Sequence, residues 1–488
     1  MRTDGDEVCL GKTDASPSTL NPQPLLPSPL INDLLLGCLA PATDPVALAQ
    51  LNRLSTKEWQ ELALVAERHG LSPLLYDRLS FPASDFAPAQ PISQKDDTRR
   101  VSPISIPSSE TDGRVDAAPI SVPEFVLQGL REAFLINTVR NTLLYEDLAA
   151  VVATLQQHGI RAAVLKGAHL AEAVYRHVGL RTMADLDLLV AWKDLAETAA
   201  LLREMGYGSD ASHKSAMNCH LEAFIKPRRP NIEVHWRIFD PAWPFKVDMT
   251  GIAARLRPIN LADVQTQVLS PEDLLLHVCI HAAKDIPTFS CQGLRPLVDL
   301  AATIRHHGHE LNWAQVQARA AEWRAGTAVY LTLRLANDLL QAEVPRAILN
   351  CLCPHDYKEA GYALAQEQVL LIGAEPPAAG IDSARLFHST LKRGFNPVPF
   401  WARLEFLFRA AFPPRVHMAM YMHKVHSVPL TGARKYTCYL TRALDWAARG
   451  AHVVGCWAGH QTETAALAKQ LKKQAQLRRW MLRPDSQP

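Results

Sequence analysis

Aspartate is disfavoured in β-strands, yet the run Asp185-Leu186-Asp187-Leu188-Leu189-Val190 sets two of them inside an otherwise apolar segment. On an extended chain, positions i and i+2 point the same way. Asp185 and Asp187 therefore share one face, while Leu186 and Leu188 point to the other, into a core. Two neighbouring carboxylates repel each other unless a cation lies between them. Divalent magnesium, which takes one or two carboxylates plus substrate phosphates, suits that arrangement. The plain alternative is a pair of solvent-facing aspartates on an edge strand, because an isolated Asp-x-Asp is a common chance match.

Neighbouring segments strengthen the first reading. Ile232-Glu233-Val234-His235-Trp236-Arg237-Ile238 alternates without a break, with Glu233, His235 and Arg237 on one face and Ile232, Val234 and Trp236 on the other. If this strand lies beside the first, Glu233 completes a three-acid cluster; on alternation alone an exposed sheet face fits equally well. Upstream, Lys166-Gly167 ends one short strand and opens a helix. Gly167 lets phosphate oxygens approach the backbone, and a helix N-terminus offers free amides and the positive end of its dipole. Lys166 adds a point charge, and Arg181 can add a bidentate phosphate contact. Their bland counterparts are a turn glycine and two surface charges. The Gly-x-x-x-x-Gly-Lys spacing of a P-loop is missing.

The rest of the chain reads as α+β: a small mixed sheet with helices, embedded in a mostly helical protein. Residues 1–26 are polar and rich in Pro, Ser and Thr, a composition expected to stay disordered. Residues 27–81 form an N-terminal helical region, in which Ser55 and Glu58 make a capping box and Gly70 a left-handed stop. Residues 82–123 carry many Pro, Ser and Asp and almost no aromatics, which predicts a flexible insert. The sheet-bearing core spans 124–240, opening with a helix from Glu124 to His158. Strands follow over Arg161–Leu165 and Asp185–Val190, with a helix from Trp192 to Met205. His220–Lys226 and Ile232–Ile238 then read as a hairpin. Beyond Pro241 the pattern is almost entirely helical, so 241–488 is expected to be a C-terminal helical region.

These residues resemble a known family. Leu165-Lys166-Gly167, Leu180 to Val190 with its Arg181-Thr182-Met183-Ala184-Asp185 entry, and Glu233-Val234-His235-Trp236 are similar to the uncharacterised bacterial nucleotidyltransferase family of the DNA polymerase beta superfamily. The likeness extends to Ser270-Pro271-Glu272-Asp273-Leu274-Leu275-Leu276-His277 with His281, to Leu294–Leu300, and loosely to Phe412-Pro413-Pro414. It implies a nucleotidyltransferase core in which Asp185, Asp187 and Glu233 ligate Mg2+ (or Mn2+) and carry catalysis. Lys166, Gly167 and Arg181 would bind the nucleotide. The implied activity moves a nucleoside monophosphate from a nucleoside triphosphate to an unidentified acceptor, with release of pyrophosphate. Two departures stand out: Ala168 replaces the usual Ser or Gly after the phosphate turn, and Glu233 stands where Asp is common. They leave open a second reading, a non-catalytic nucleotide-binding or scaffold protein that keeps the fold.

Composition limits the other classes. Lys and Arg number 51 against 49 Asp and Glu, a net charge of +2, whereas a chain that coats nucleic acid needs clustered basic excess. A basic C-terminal stretch with Lys469, Lys472, Lys473, Arg478 and Arg479 reads as a solvated helix face, with nucleic acid or anionic membrane as minority partners. Nine cysteines without regular spacing suggest mostly buried reduced thiols in a cytoplasmic protein. No signal peptide is evident, and no apolar run approaches the roughly 20 residues that cross a bilayer. His277 and His281 have the i, i+4 spacing of a zinc pair, but without an adjacent Glu they read as core or interface histidines. Cys351-Leu352-Cys353 lacks a partner pair, so a zinc ribbon is not expected.

Overall fold

The computed structural model describes residues 28–40, 45–81 and 120–371, apart from 176, 209–218, 222, 241–242, 287–292 and 358, together with 437–440, 444, 476–477 and 480–481. Expectations for residues 1–26, for most of the 82–123 insert, for Phe412-Pro413-Pro414 and for the basic residues 469–479 lie outside these described positions.

Local signals place the N-terminal helices α1 (Pro29–Leu39), α2 (Pro45–Leu51), α3 (Thr56–Arg68) and α4 (Ser72–Ser80). Ser55 caps α3 by accepting the Glu58 amide, while the Glu58 carboxylate accepts the Ser55 amide. Gly70 ends the helix at φ 68°, in the left-handed region that glycine enters without steric cost. Helix α5 (Glu124–Gln157) is 34 residues long. After it come β1 (Ala162–Val164), α6 (Lys166–His169), β2 (Asp185–Val190), α7 (Leu195–Glu204) and β3 (Asn231–His235). Helix α6 runs on as a π-helical segment over Leu170–Val174.

Among the described residues one five-stranded mixed sheet has the order β3-β2-β1-β5-β4, with β4 at Arg257–Leu261 and β5 at Val264–Val268. Strands β1 and β2 are antiparallel, whereas β2 with β3 and β1 with β5 are parallel. The fold is α+β, as the sequence suggests. Two strands, however, lie beyond Pro241, where the pattern reads as helical. The expected hairpin before β3 is also looser than anticipated: among the described residues its first arm meets β3 through isolated bridges, of His220 with His235 and of Phe224 with Ile232, and bridges Ile225 to Gly208. Beyond α8 (Met249–Arg255) and the β4–β5 pair, the described chain is helical through α9 (Pro271–Asp285), α10 (Arg295–His307), α11 (Trp313–Glu322), α12 (Gly326–Leu340), α13 (Arg346–Leu352) and α14 (Glu359–Leu371). No helix among the described residues is long and apolar enough to cross a membrane.

Strand alternation assigns the two sheet faces to different cores. Ala162, Val164, Leu186, Leu188, Val190, Ile232 and Val234 pack with α5 and α7. Ala163, Leu165 and Leu189 face the larger helical core built from α1, α3, α4, α9, α10 and α12. By the same alternation Asp185, Asp187, Glu233 and His235 stand on the side of the helical layer. The polar residues of the sheet thus lie at the seam between sheet and helices.

Candidate active site

The parallel pairing of β2 with β3 sets Asp185 opposite Asn231, Asp187 opposite Glu233, and Leu189 opposite His235. The two strands, whose adjacency alternation alone left open, are neighbours, and their register puts two acids side by side. Asp187 is buried. His235 Nε2 lies 2.9 Å from Asp187 Oδ1 and 3.6 Å from Glu233 Oε2. Lys166, the first residue of α6, approaches from β1 with Nζ 3.4 Å from Asp187 Oδ2. His220 stands behind, its Nε2 3.9 Å from Glu233 Oε2 and its ring 4.9 Å from the His235 ring.

Electrostatics follow from this crowding. Burial and the neighbouring Asp187 and Glu233 charges push Asp185 up to about 6. Asp187 meets the opposite outcome: burial works against its charge, but Lys166 and His235 outweigh it and hold the carboxyl well below its usual range. Burial also opposes charge on His235, yet its hydrogen bonds to Asp187, Cys219 and Glu233 hold the imidazole well above its ordinary value. Lys166 is likewise raised, because Asp187, Asp185 and Glu233 overcome the cost of burial. Two protein cations therefore offset part of the charge of a group of three acids.

Of the six sequence candidates, Asp187, Glu233 and Lys166 converge on one point. Asp185 sits one pleat along β2, near enough for its charge to be felt by Asp187 and Glu233. Gly167 follows Lys166; a β-carbon there would lie 3.4 Å from Arg181 Nη1 and 3.6 Å from Met183 Sδ, so the site is snug but not closed to a methyl group. Helix α6 has four residues before its π-helical continuation, too short to develop much of the dipole that anion binding would use. Arg181 has a partner the sequence did not reveal. Its Nε and Nη2 each donate at 2.8 Å to the two oxygens of Asp299 on α10, and Tyr175 Oη donates to the same carboxylate at 2.8 Å.

The loop that carries Arg181 into β2 is fixed by α5. Asn137 Nδ2 donates to the Gly179 and Arg181 carbonyls at 2.7 and 3.1 Å, and Asn141 Nδ2 to those of Val178 and Arg181 at 2.6 and 2.8 Å. A β-carbon on Gly179 would fall 2.1 Å from Thr138 Oγ1, so glycine is needed for this approach of loop to helix. The entry to β2, just ahead of Asp185 and Asp187, is thereby fixed to α5.

His235 was placed on the Glu233 face by alternation but was not read as part of the site; the signal was its i+2 spacing from Glu233. The ligand atoms of Asp187, Glu233 and His235 all lie within 4.8 Å of one another. Neighbouring ligands around a cation with bonds of about 2.1 Å stand roughly 3.0–3.4 Å apart, close to the 2.9 and 3.6 Å measured from His235 Nε2. The donor set fits a divalent cation. His277 and His281 form no such group among the described residues: His277 is buried with its ring edge-on to Phe239, and His281 Nδ1 lies 3.2 Å from Asp285 Oδ2. Among the described residues Cys351 and Cys353 are exposed, Cys219 is half-buried, and Cys38, Cys279 and Cys438 are buried, with no disulfide between them.

Residues 112–341 match the model of a family described as an uncharacterised nucleotidyltransferase. The matched stretch holds the whole sheet, the acidic cluster, Lys166 and the Arg181–Asp299 pair, and it supports nucleotidyl transfer as the general class of activity. No curated protein and no solved structure matches the chain.

Proposed function

We propose that this protein is a metal-dependent nucleotidyltransferase of the DNA polymerase beta-like superfamily, transferring a nucleoside monophosphate from a nucleoside triphosphate to an acceptor with release of pyrophosphate. The observation that carries the reading is the register of β2 with β3, which seats Asp187 against Glu233 beside Lys166 within the region of the family match. Asp187, Glu233 and Asp185 would hold Mg2+ or Mn2+, and such an ion, when bound, supplies charge for the attacking and leaving oxygens of an in-line displacement. Lys166 would hold a phosphate oxygen of the nucleotide, and the bare backbone at Gly167 would let the chain lie close to it. Arg181 enters this proposal in a different role from the one its sequence suggests: held by Asp299, it would fix the entry to β2 and present only Nη1 toward Gly167. The proposal includes a cytoplasmic setting, as expected from cysteines without regular spacing.

One observation favours the second reading. Lys166 and His235 already neutralise Asp187 from within the protein, as a nucleotide-binding scaffold without a metal would require. A screen of the four nucleoside triphosphates with Mg2+ or Mn2+, detecting pyrophosphate, separates the two. Metal-dependent pyrophosphate release that is abolished in folded Asp185→Asn and Asp187→Asn supports the enzyme. Nucleotide binding without release across a broad set of acceptors supports the scaffold. Full turnover in either variant removes that aspartate from the metal set.

A further inference from the structure

We infer that His235, releasing its imidazole proton to solvent as the ion binds, is itself a ligand of the cation, so that the site takes a first-row transition ion in preference to magnesium. This rests on the metal-dependent reading above and sharpens it. Three observations bear on the role of the histidine. The atom turned toward the acids is Nε2, 2.9 Å from one carboxylate oxygen and 3.6 Å from the other. The ring is buried, and β3 fixes it two residues from Glu233 on the same strand face. Lys166 approaches Asp187 through Oδ2, whereas His235 shares Oδ1. A cation seated between Oδ1, Glu233 and His235 would therefore leave the lysine its own oxygen, and the two positive groups need not compete for one position.

Donor chemistry then selects the ion. Magnesium demands a near-octahedral oxygen shell and sheds water reluctantly. Imidazole is a ligand of transition ions, whose affinity for a given N/O site rises from manganese upward. Manganese is the weakest of that series, so a preference for it over magnesium is the most demanding form of the claim. Loss of a partner merely outside the ligand shell costs about 10–100-fold in metal affinity; loss of a ligand should cost at least as much.

The experiment uses Mn2+ alone with the full-length protein, read by electron spin-echo envelope modulation and by competition with Mg2+. The expected spectrum shows a nitrogen coupling that changes on histidine-selective 15N labelling, survives in His220→Gln and vanishes in His235→Gln. Competition should show Mn2+ bound at least about tenfold more tightly than Mg2+, with that margin lost in His235→Gln. The labelled wild-type spectrum distinguishes histidine from all-oxygen coordination even if His235→Gln does not fold, and loss of coupling in His220→Gln would assign it to the wrong ring. Bound manganese without nitrogen coupling, or equal affinity for magnesium, overturns the inference while leaving the metal-dependent reading standing. No manganese binding at all overturns both.

Discussion

Arg181 and Asp299 are 118 residues apart in the chain and meet through two 2.8 Å hydrogen bonds in the interior. Removing one partner of a buried pair strands the other charge away from water, at a cost of about 3–5 kcal/mol. Asp299→Ala is accordingly expected to lower unfolding free energy by about that amount in urea denaturation; a loss under about 1 kcal/mol would mean that Arg181 finds other compensation. This pair also marks the limit of what single residues disclose. The shared strand faces of Asp185, Asp187 and Glu233 were legible because two-residue alternation is a local property, and a carboxylate within an apolar strand stands out against it. Nothing near Arg181 in sequence reveals the distant carboxylate that it meets. His235 lay in view on the correct face, but an imidazole beside two acids gains its meaning only once the register of β2 against β3 is known.

Among the elements, the β4–β5 hairpin shows how a strand pair can escape a sequence reading. Its turn residues Ala262 and Asp263 adopt φ of 53° and 59°, a tight-turn geometry that Asn-Gly or Asp-Gly would normally advertise. Pro258 inside β4 further disguised the strand, and it is tolerated because β4 lies at the sheet edge. Glu172, on the π-helical segment after α6, holds the turn by accepting the Ala262 amide at 3.2 and 3.1 Å. By contrast α3, α5 and β2 were readable from capping, terminal glycines and alternation, all of which act within a few residues. Burial raises Glu172 to about 7 from an ordinary 4.5. Between those values the folded state binds the proton more tightly than the unfolded chain, so this contribution to stability is full below about 4.5 and lost as pH rises through about 7. Glu172→Gln removes that dependence. Relative to wild type, its urea midpoint should rise between pH 5 and pH 8; a gap that shrinks or stays constant would contradict the assignment.

Across the molecule, buried and half-buried histidines sit in the helical layer in their neutral form. His69 Nδ1 accepts the Leu294 amide at 3.1 Å, which fastens the end of α3 to the start of α10. Burial lowers His69, His281 and His307 to about 4 and His169 to about 3, and it holds His277 well below its ordinary value. Their contribution is present above about pH 6.5 and is lost as pH falls toward 4, since the unfolded chain takes up protons first. Asp185, Glu172 and His235, all raised, oppose this trend but are fewer. The urea midpoint of the whole protein should therefore be lower at pH 5.5 than at pH 7.5, and an unchanged midpoint would contradict neutral buried rings. The same architecture, a sheet presenting its acids to a helical layer, underlies the central claim that Asp187 and Glu233 form one cation site. The most direct test compares metal-dependent pyrophosphate release in Asp187→Asn, in Glu233→Gln and in the double variant. Residues that act as a unit do not multiply their losses, so the double variant should be no slower than the slower single. Wild-type turnover in either single variant, or losses that multiply in the double, would show that the two carboxylates do not share an ion.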